Sequence, residues 1–218
     1  MRSLVIAVGC LAASISMSAV ANGQTQLSDP KATPQLLWSK VYEQGGKTLY
    51  CSSSFSTDTS QLKASPVYST KQLKASLRCV TDRQCNIMNP RYVFMASDLH
   101  NYYPALSQIE QARANAQFGV LDDSAQVSFA ELGCEMKTSF KMIEPRDDAK
   151  GNVARALFYM HVEYDLPIPG DIASYKQWHE MDPPDAEERT RNDKIEAVQG
   201  TRNRFIDNPA LVSELIQE

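Results

Sequence analysis

The densest run of chemically capable side chains is Ser97-Asp98-Leu99-His100-Asn101-Tyr102-Tyr103-Pro104, followed by Glu110, Arg113 and Asn115. A histidine beside an aspartate and an asparagine can accept a proton, ligate a metal or contact a phosphate, because imidazole titrates near neutrality and its neighbours offer oxygen. The alternative is a histidine whose ring bonds backbone and holds a loop, and no single spacing in the run separates the two. His161 and Glu163, two apart on an expected helix, point to different faces and do not share a metal. His179 beside Trp178 reads as the edge of a core. The sequence contains no glycine-rich phosphate loop and no nucleophile elbow.

These residues sit in a chain with the marks of export. Arg2, the uncharged run Leu4 to Met17 and the small-x-small triplet Ala19-Val20-Ala21 predict a secretory leader over residues 1–21, with Asn22 opening the mature chain. The location expected is periplasmic or secreted. The apolar run is shorter than the roughly 20 residues a membrane span needs and no later stretch is longer, so no membrane is expected as a partner. Residues 22–218 fit one domain, expected to be monomeric. Beyond the leader lie Cys51, Cys79, Cys85 and Cys134, an even number in an oxidising compartment, which favours disulfides. Cys79–Cys85 is the local pairing and leaves Cys51–Cys134 to close a long loop; zinc is the rival, but no histidine stands at a ligand spacing from these cysteines. The formal net charge of −4 argues against a global positive field. Local basic groups remain at Lys71, Lys74, Arg78 and Arg83, at Arg189, Arg191 and Lys194, and at Arg202 with Arg204; each reads first as a solvated face.

The elements that must position the polar run are few strands followed by many helices, an α+β pattern. Thr33-Pro34 predicts a helix start, with Leu37 and Val41 on its apolar stripe and Gly45-Gly46 ending it. Lys47 to Phe55 reads as a short strand, 67–104 as an ordered irregular region, Ala105 to Phe118 as a helix, and Glu135 to Ile143 as one strand with Met136, Thr138, Phe140 and Met142 on its buried face. The last third is helical: Ala149 to Asp165 with apolar residues at i, i+3, i+4 and i+7, then 171–181, then a helix capped by Asp185 and closed by Gly200, and a short final helix from Asn208-Pro209 to Gln217.

Several linked segments resemble the bacterial endonuclease I family. They are Lys150 to Met160, Trp178 to Pro183, Glu187-Glu188-Arg189, Asn192, Ile195 and Val198 to Asn203, together with Asp98-Leu99-His100-Asn101 to Pro104-Ala105 and the Arg113-x-Asn115 pair. The resemblance implies a ββα-metal (His-Me finger) nuclease core with a mostly helical C-terminal half. It also implies one divalent metal, usually magnesium, and hydrolysis of DNA or RNA phosphodiester bonds with low sequence specificity. The family's Glu-His pair falls on Thr70-Lys71 and its asparagine ligand on Glu110. The arrangement expected here therefore places Glu110 and Asn101 on the metal, His100 or Lys71 as the proton-handling catalytic groups, and Arg83 and Arg113 on phosphate. The alternative is a catalytically inactive nuclease fold that binds nucleic acid or another polyanion.

Overall fold

The longest helix organises the molecule, a computed structural model that describes residues 23–113 and 116–217. The expected leader and Asn115 lie outside the described residues. In chain order the elements are α1 (Thr33–Leu36), β1 (Gly46–Lys47), β2 (Ser54–Phe55), β3 (Leu62–Pro66), α2 (Thr70–Ser76), α3 (Asp82–Met88), α4 (Tyr92–Ala96), β4 (Tyr102–Leu106), α5 (Ser107–Arg113), β5 (Gln117–Phe118), β6 (Val127–Ser128), β7 (Met136–Thr138) and β8 (Met142–Glu144). The helices α6 (Asp147–Tyr164), α7 (Ile172–Met181), α8 (Ala186–Gln199), α9 (Arg204–Asp207) and α10 (Leu211–Leu215) follow. The class is α+β, as expected. Thirteen of the eighteen residues of α6 are buried, so it is a core helix covered on every side rather than an amphipathic one with a single apolar stripe.

Burying α6 completely requires its polar groups to be paired. Arg155 provides the main pair: Nε and Nη2 donate to the two carboxylate oxygens of Glu188 on α8, at 2.9 and 2.6 Å, and Nη1 donates to the Asp182 carbonyl at 2.6 Å. Burial pushes the Glu188 carboxyl up, and the adjacent Arg155 opposes the shift. Gly151 marks where α6 meets the end of α7, because a Cβ there would collide with the Asp182 carbonyl oxygen. The caps of α8 are those the sequence indicates, and α7 has an aspartate cap that the sequence reading does not name. Asp171 accepts from Ser174 N, Asp185 accepts from Glu188 N, and Gly200 ends α8 with φ of 75°. Glu188 leaves the reciprocal half of a capping box unmade, since its carboxylate is spent on Arg155.

Three small sheets surround this helical core: β1 with β2, β3 with β4, and β5-β8-β7-β6, in which β5 runs parallel to β8 and the other pairs are antiparallel. Several expected elements are corrected. The Lys47–Phe55 strand is a hairpin turning through Cys51, and the Glu135–Ile143 strand is the β7–β8 hairpin, whose turn leaves Phe140 94% exposed. Alternation alone does not reveal a two-strand turn between Ser139 and Met142. The first helix passes from α1 into a π-helical turn over Leu37–Val41, closed by Tyr42 N donating to Leu37 O. The 105–118 helix is divided among β4, α5 and β5, while the expected terminal helix is present as the shorter α10, preceded by a separate turn, α9. The region 67–104 holds three short helices and a 3-10 turn, Leu99–Asn101.

Both disulfides have the expected connectivity, Cys51–Cys134 and Cys79–Cys85, with Cα separations of 4.3 and 5.1 Å. The first ties the β1–β2 turn to the segment before β7 across 83 residues. Replacing Cys51 and Cys134 by serine is expected to lower unfolding free energy by about 4 kcal/mol on the loop-entropy account. Guanidinium melts of the parent and the variant measure the difference, and a change under about 1 kcal/mol would mean that the unfolded chain is already held compact there.

Candidate functional site

The polar run and the Glu110–Arg113 segment meet in a strand-strand-helix unit built of β3, β4 and α5. The two strands pair antiparallel from Leu62 opposite Leu106 to Pro66 opposite Tyr102, and α5 leaves β4 without a loop and packs against both. The chain between the strands, residues 67–101, carries α2, α3, α4 and the 3-10 turn, so Asp98, His100 and Asn101 enter β4 from that turn.

Each of these three side chains is spent internally. Asp98 is fully buried; its Oδ1 accepts from His100 N and Gln199 Nε2, and its Oδ2 accepts from the Tyr159 and Tyr164 hydroxyls at 2.9 and 2.6 Å. Burial pushes both phenols up, and the facing Asp98 carboxylate adds to the shift. His100 Nε2 donates to the Thr201 carbonyl at 2.9 Å, the ring lies 4.6 Å from that of Tyr159, and Nδ1 is buried without a partner. Burial pushes this imidazole down to about 4, with Asp98 working in the opposite direction. Asn101 forms a two-way bridge to Tyr68: its Oδ1 accepts from Tyr68 N at 2.7 Å and its Nδ2 donates to Tyr68 O at 3.0 Å. The loop-holding alternative raised for the histidine therefore describes the whole run.

The remaining candidates divide in two. Glu110, on α5, accepts from Arg113 through both carboxylate oxygens, Nε at 3.0 Å and Nη2 at 3.1 Å. Arg113 is buried, with its guanidinium carbon 5.8 Å from the Phe118 ring centroid and Nη1 unpartnered. The Tyr50 hydroxyl, pushed up by burial and facing Arg113, lies 3.4 Å from the Ser65 hydroxyl of β3 and closes the same cluster. Lys71 and Arg83, by contrast, are exposed on α2 and α3, and with Arg78 they form no ion pair among the described residues.

A divalent cation does not fit this donor set. Both oxygens of Glu110 face a guanidinium, both amide atoms of Asn101 face backbone, and the described residues contain no group of three or more His, Cys, Asp or Glu able to hold a metal. Thr70 and Lys71 open α2 behind the Ser69 cap instead of lying on β3, so the placement of the Glu-His pair on them puts the pair outside the strand-strand-helix unit.

Sequence reasoning missed what two other arginines do. Arg191, grouped with a solvated face, is buried: its Nη2 donates to Leu99 O and Tyr102 O, and its guanidinium stacks 3.8 Å from the Tyr103 ring centroid. It lines a cleft of about 330 Å³ with Lys47 and Arg146, where Asp148, Asp182, Asp185, Glu187 and Glu188 outnumber those three cations. Arg202 is likewise consumed, by Asp193, Glu196 and Asp207. Of the three local basic groups, the one on α2 and α3 keeps Lys71, Arg78 and Arg83 exposed and outside any ion pair among the described residues.

These features define a disulfide-bonded α+β domain in which a strand-strand-helix unit is braced by a helical C-terminal half. The chain belongs to the endonuclease I family, whose model matches residues 31–210. It is similar to an extracellular ribonuclease of Bacillus subtilis, 34% identical over 138 residues that cover 55% of this chain and 46% of that protein. An endonuclease-1 of Buchnera aphidicola is 31% identical over 133 residues, 59% of this chain and 49% of the relative. An extracellular deoxyribonuclease of Aeromonas hydrophila is 31% identical over 118 residues, 52% and 50%. The chain thus spans about half the length of the curated relatives it matches. Several relatives are extracellular or periplasmic by name, and no described helix is long and apolar enough to cross a membrane; this chain is likewise periplasmic or secreted.

Two measurements check the internal roles of these groups. With its folded-state value depressed, His100 contributes stability that is fully present above the unfolded histidine value near 6.5 and is lost as pH falls toward 4, on the order of 3 kcal/mol. Urea melts at pH 7 and pH 4.5 should show this loss in the parent, and His100→Gln should have a correspondingly flatter profile. Separately, Glu110→Ala strands a buried guanidinium and should cost about 3 kcal/mol, while the double replacement Glu110→Leu with Arg113→Met should recover most of it. Equal melts for Glu110→Ala and the parent would show that the pair does not stabilise the fold.

Proposed function

We propose that this chain is an extracytoplasmic nucleic-acid-binding member of the endonuclease I family that does not cleave by the metal-and-histidine route its resemblance implies. The observation that carries this reading is the Glu110–Arg113 pair: the carboxylate at the family's ligand position is already neutralised by a cation from its own helix. The imidazole nearest to hand, His100, is buried and held by Thr201, so proton transfer to bulk water has no path from it. The order β3, β4, α5 supports a ββα ancestry for the unit, and the family supports nucleic acid as its partner. Lys71, Arg78 and Arg83 supply the phosphate contacts, on a segment, residues 67–88, whose one acid, Asp82, is paired with Lys74 at 2.8 Å.

A second reading, a secreted magnesium-dependent endonuclease of low sequence specificity, is favoured by the names of the relatives. One experiment separates the two. Purified, disulfide-intact protein is incubated with supercoiled plasmid in magnesium and in chelator, and its binding to a labelled oligonucleotide is followed against salt. The expected result is binding that weakens with salt, no nicking above a protein-free control, and a melting temperature indifferent to magnesium. Chelator-sensitive nicking that disappears in Glu110→Ala would overturn the proposal and establish the second reading. Absence of both binding and nicking would overturn both.

A further inference from the structure

The surface that carries the free cations also carries unpartnered apolar side chains. Val80 is 78% exposed, Ile87 71% and Met88 53%, all within or beside α3. Cys85 points inward to the disulfide, and Arg83 and Ile87, four residues apart, share the opposite, outward face of the helix. Val80 stands one turn before Gln84, whose side-chain carbonyl accepts from Val80 N at 2.9 Å. The Cys79–Cys85 disulfide and the Lys74–Asp82 pair fix this knob against α2, so its ordering cost is met in the free protein. Over residues 67–88 four cations face one acid, Asp82, in a chain whose net charge is −4.

A double helix presents phosphates outward and keeps its bases stacked, so it offers exposed valine, isoleucine and methionine nothing to cover them. An unpaired strand presents phosphates and base faces together, and its recognition combines cations along the backbone with apolar surface under the bases. We propose that this face takes single-stranded nucleic acid, with phosphates on Lys71, Arg78 and Arg83 and unstacked bases laid over Val80, Ile87 and Met88. The proposal rests on the nucleic-acid reading above and names the form of the partner.

The test uses the full disulfide-intact protein with a labelled oligothymidylate and, separately, a labelled duplex of the same length, both followed by fluorescence anisotropy. The single strand should bind at least about tenfold tighter, with a logarithmic salt slope near −2 from three phosphate contacts at about −0.7 each. A Val80→Ser, Ile87→Ser double variant should lose the preference for single strand, and Arg83→Ala should weaken both forms and flatten the single-strand slope by about 0.7. Phe140→Ser, which removes a still more exposed apolar group elsewhere, should keep the preference. Equal affinity for the two forms, or a preference that survives the double variant, would overturn this inference and leave the nucleic-acid reading standing; no binding of either form overturns that reading itself. Binding to phosphatidylglycerol vesicles that is lost in the double variant, without discrimination between the nucleic acids, would assign the patch to a membrane surface and also overturn it.

Discussion

A carboxylate without water must be satisfied completely or it will not be buried, and Asp98 meets that condition with four donors from four places in the chain. His100 N comes from its own turn, the Tyr159 and Tyr164 hydroxyls from α6, and Gln199 Nε2 from the end of α8. Each donor fixes the element that carries it, so the turn entering β4 is registered against both long helices. Leu99 N donates to Gln199 Oε1 and His100 to Thr201 O, which extends the same bracing along the turn. Removing any one donor would expose the others to the cost of an incompletely paired charge, and that is why the polar run behaves as one unit. The Arg155–Glu188 pair then locks α6 to α8 from the other side.

The helical third of the fold was legible because several local signals agreed. Period, cap and stop coincide at Asp185 and Gly200, and helices long enough to show a period declare themselves. The stretch 67–104 was not legible by period, since α2, α3 and α4 are each two turns or less. A signal was nonetheless present: Ser69 with Gln72 forms a capping box, and Thr81 accepts from Gln84 N three residues on. The disulfides followed from parity and proximity. The hairpins at β1–β2 and β7–β8 lacked the Asn-Gly or Asp-Gly turns that announce such connections, so each was read as one strand.

The candidate site shows a different limit. Residue types identify what a side chain can do, not what it is already doing. Asp98, His100 and Asn101 have the composition of a catalytic run and are employed as a brace; Glu110 can ligate a cation and has one from Arg113. The commitments of His100 and Asn101 are made by groups tens of residues away, Thr201 and Tyr68, which no local window contains, whereas the Glu110–Arg113 pair spans three residues and was open to a local reading. The segments that carry the family resemblance run through β4 and α5, while the Thr70-Lys71 position given to the family's charged pair falls on the first turn of α2.

The Asp98 network has a consequence for the order of events during biosynthesis. Its acceptor oxygen and its amide donor partners at residue 199 are separated by 101 positions, and the carbonyl that holds His100 lies just beyond. A nascent chain that has not yet produced residues 199–201 leaves Asp98 short of one of its four donors and the His100 ring without the carbonyl that holds it. The turn that enters β4 therefore reaches its final packing only when the segment at 199–201 is present to meet it.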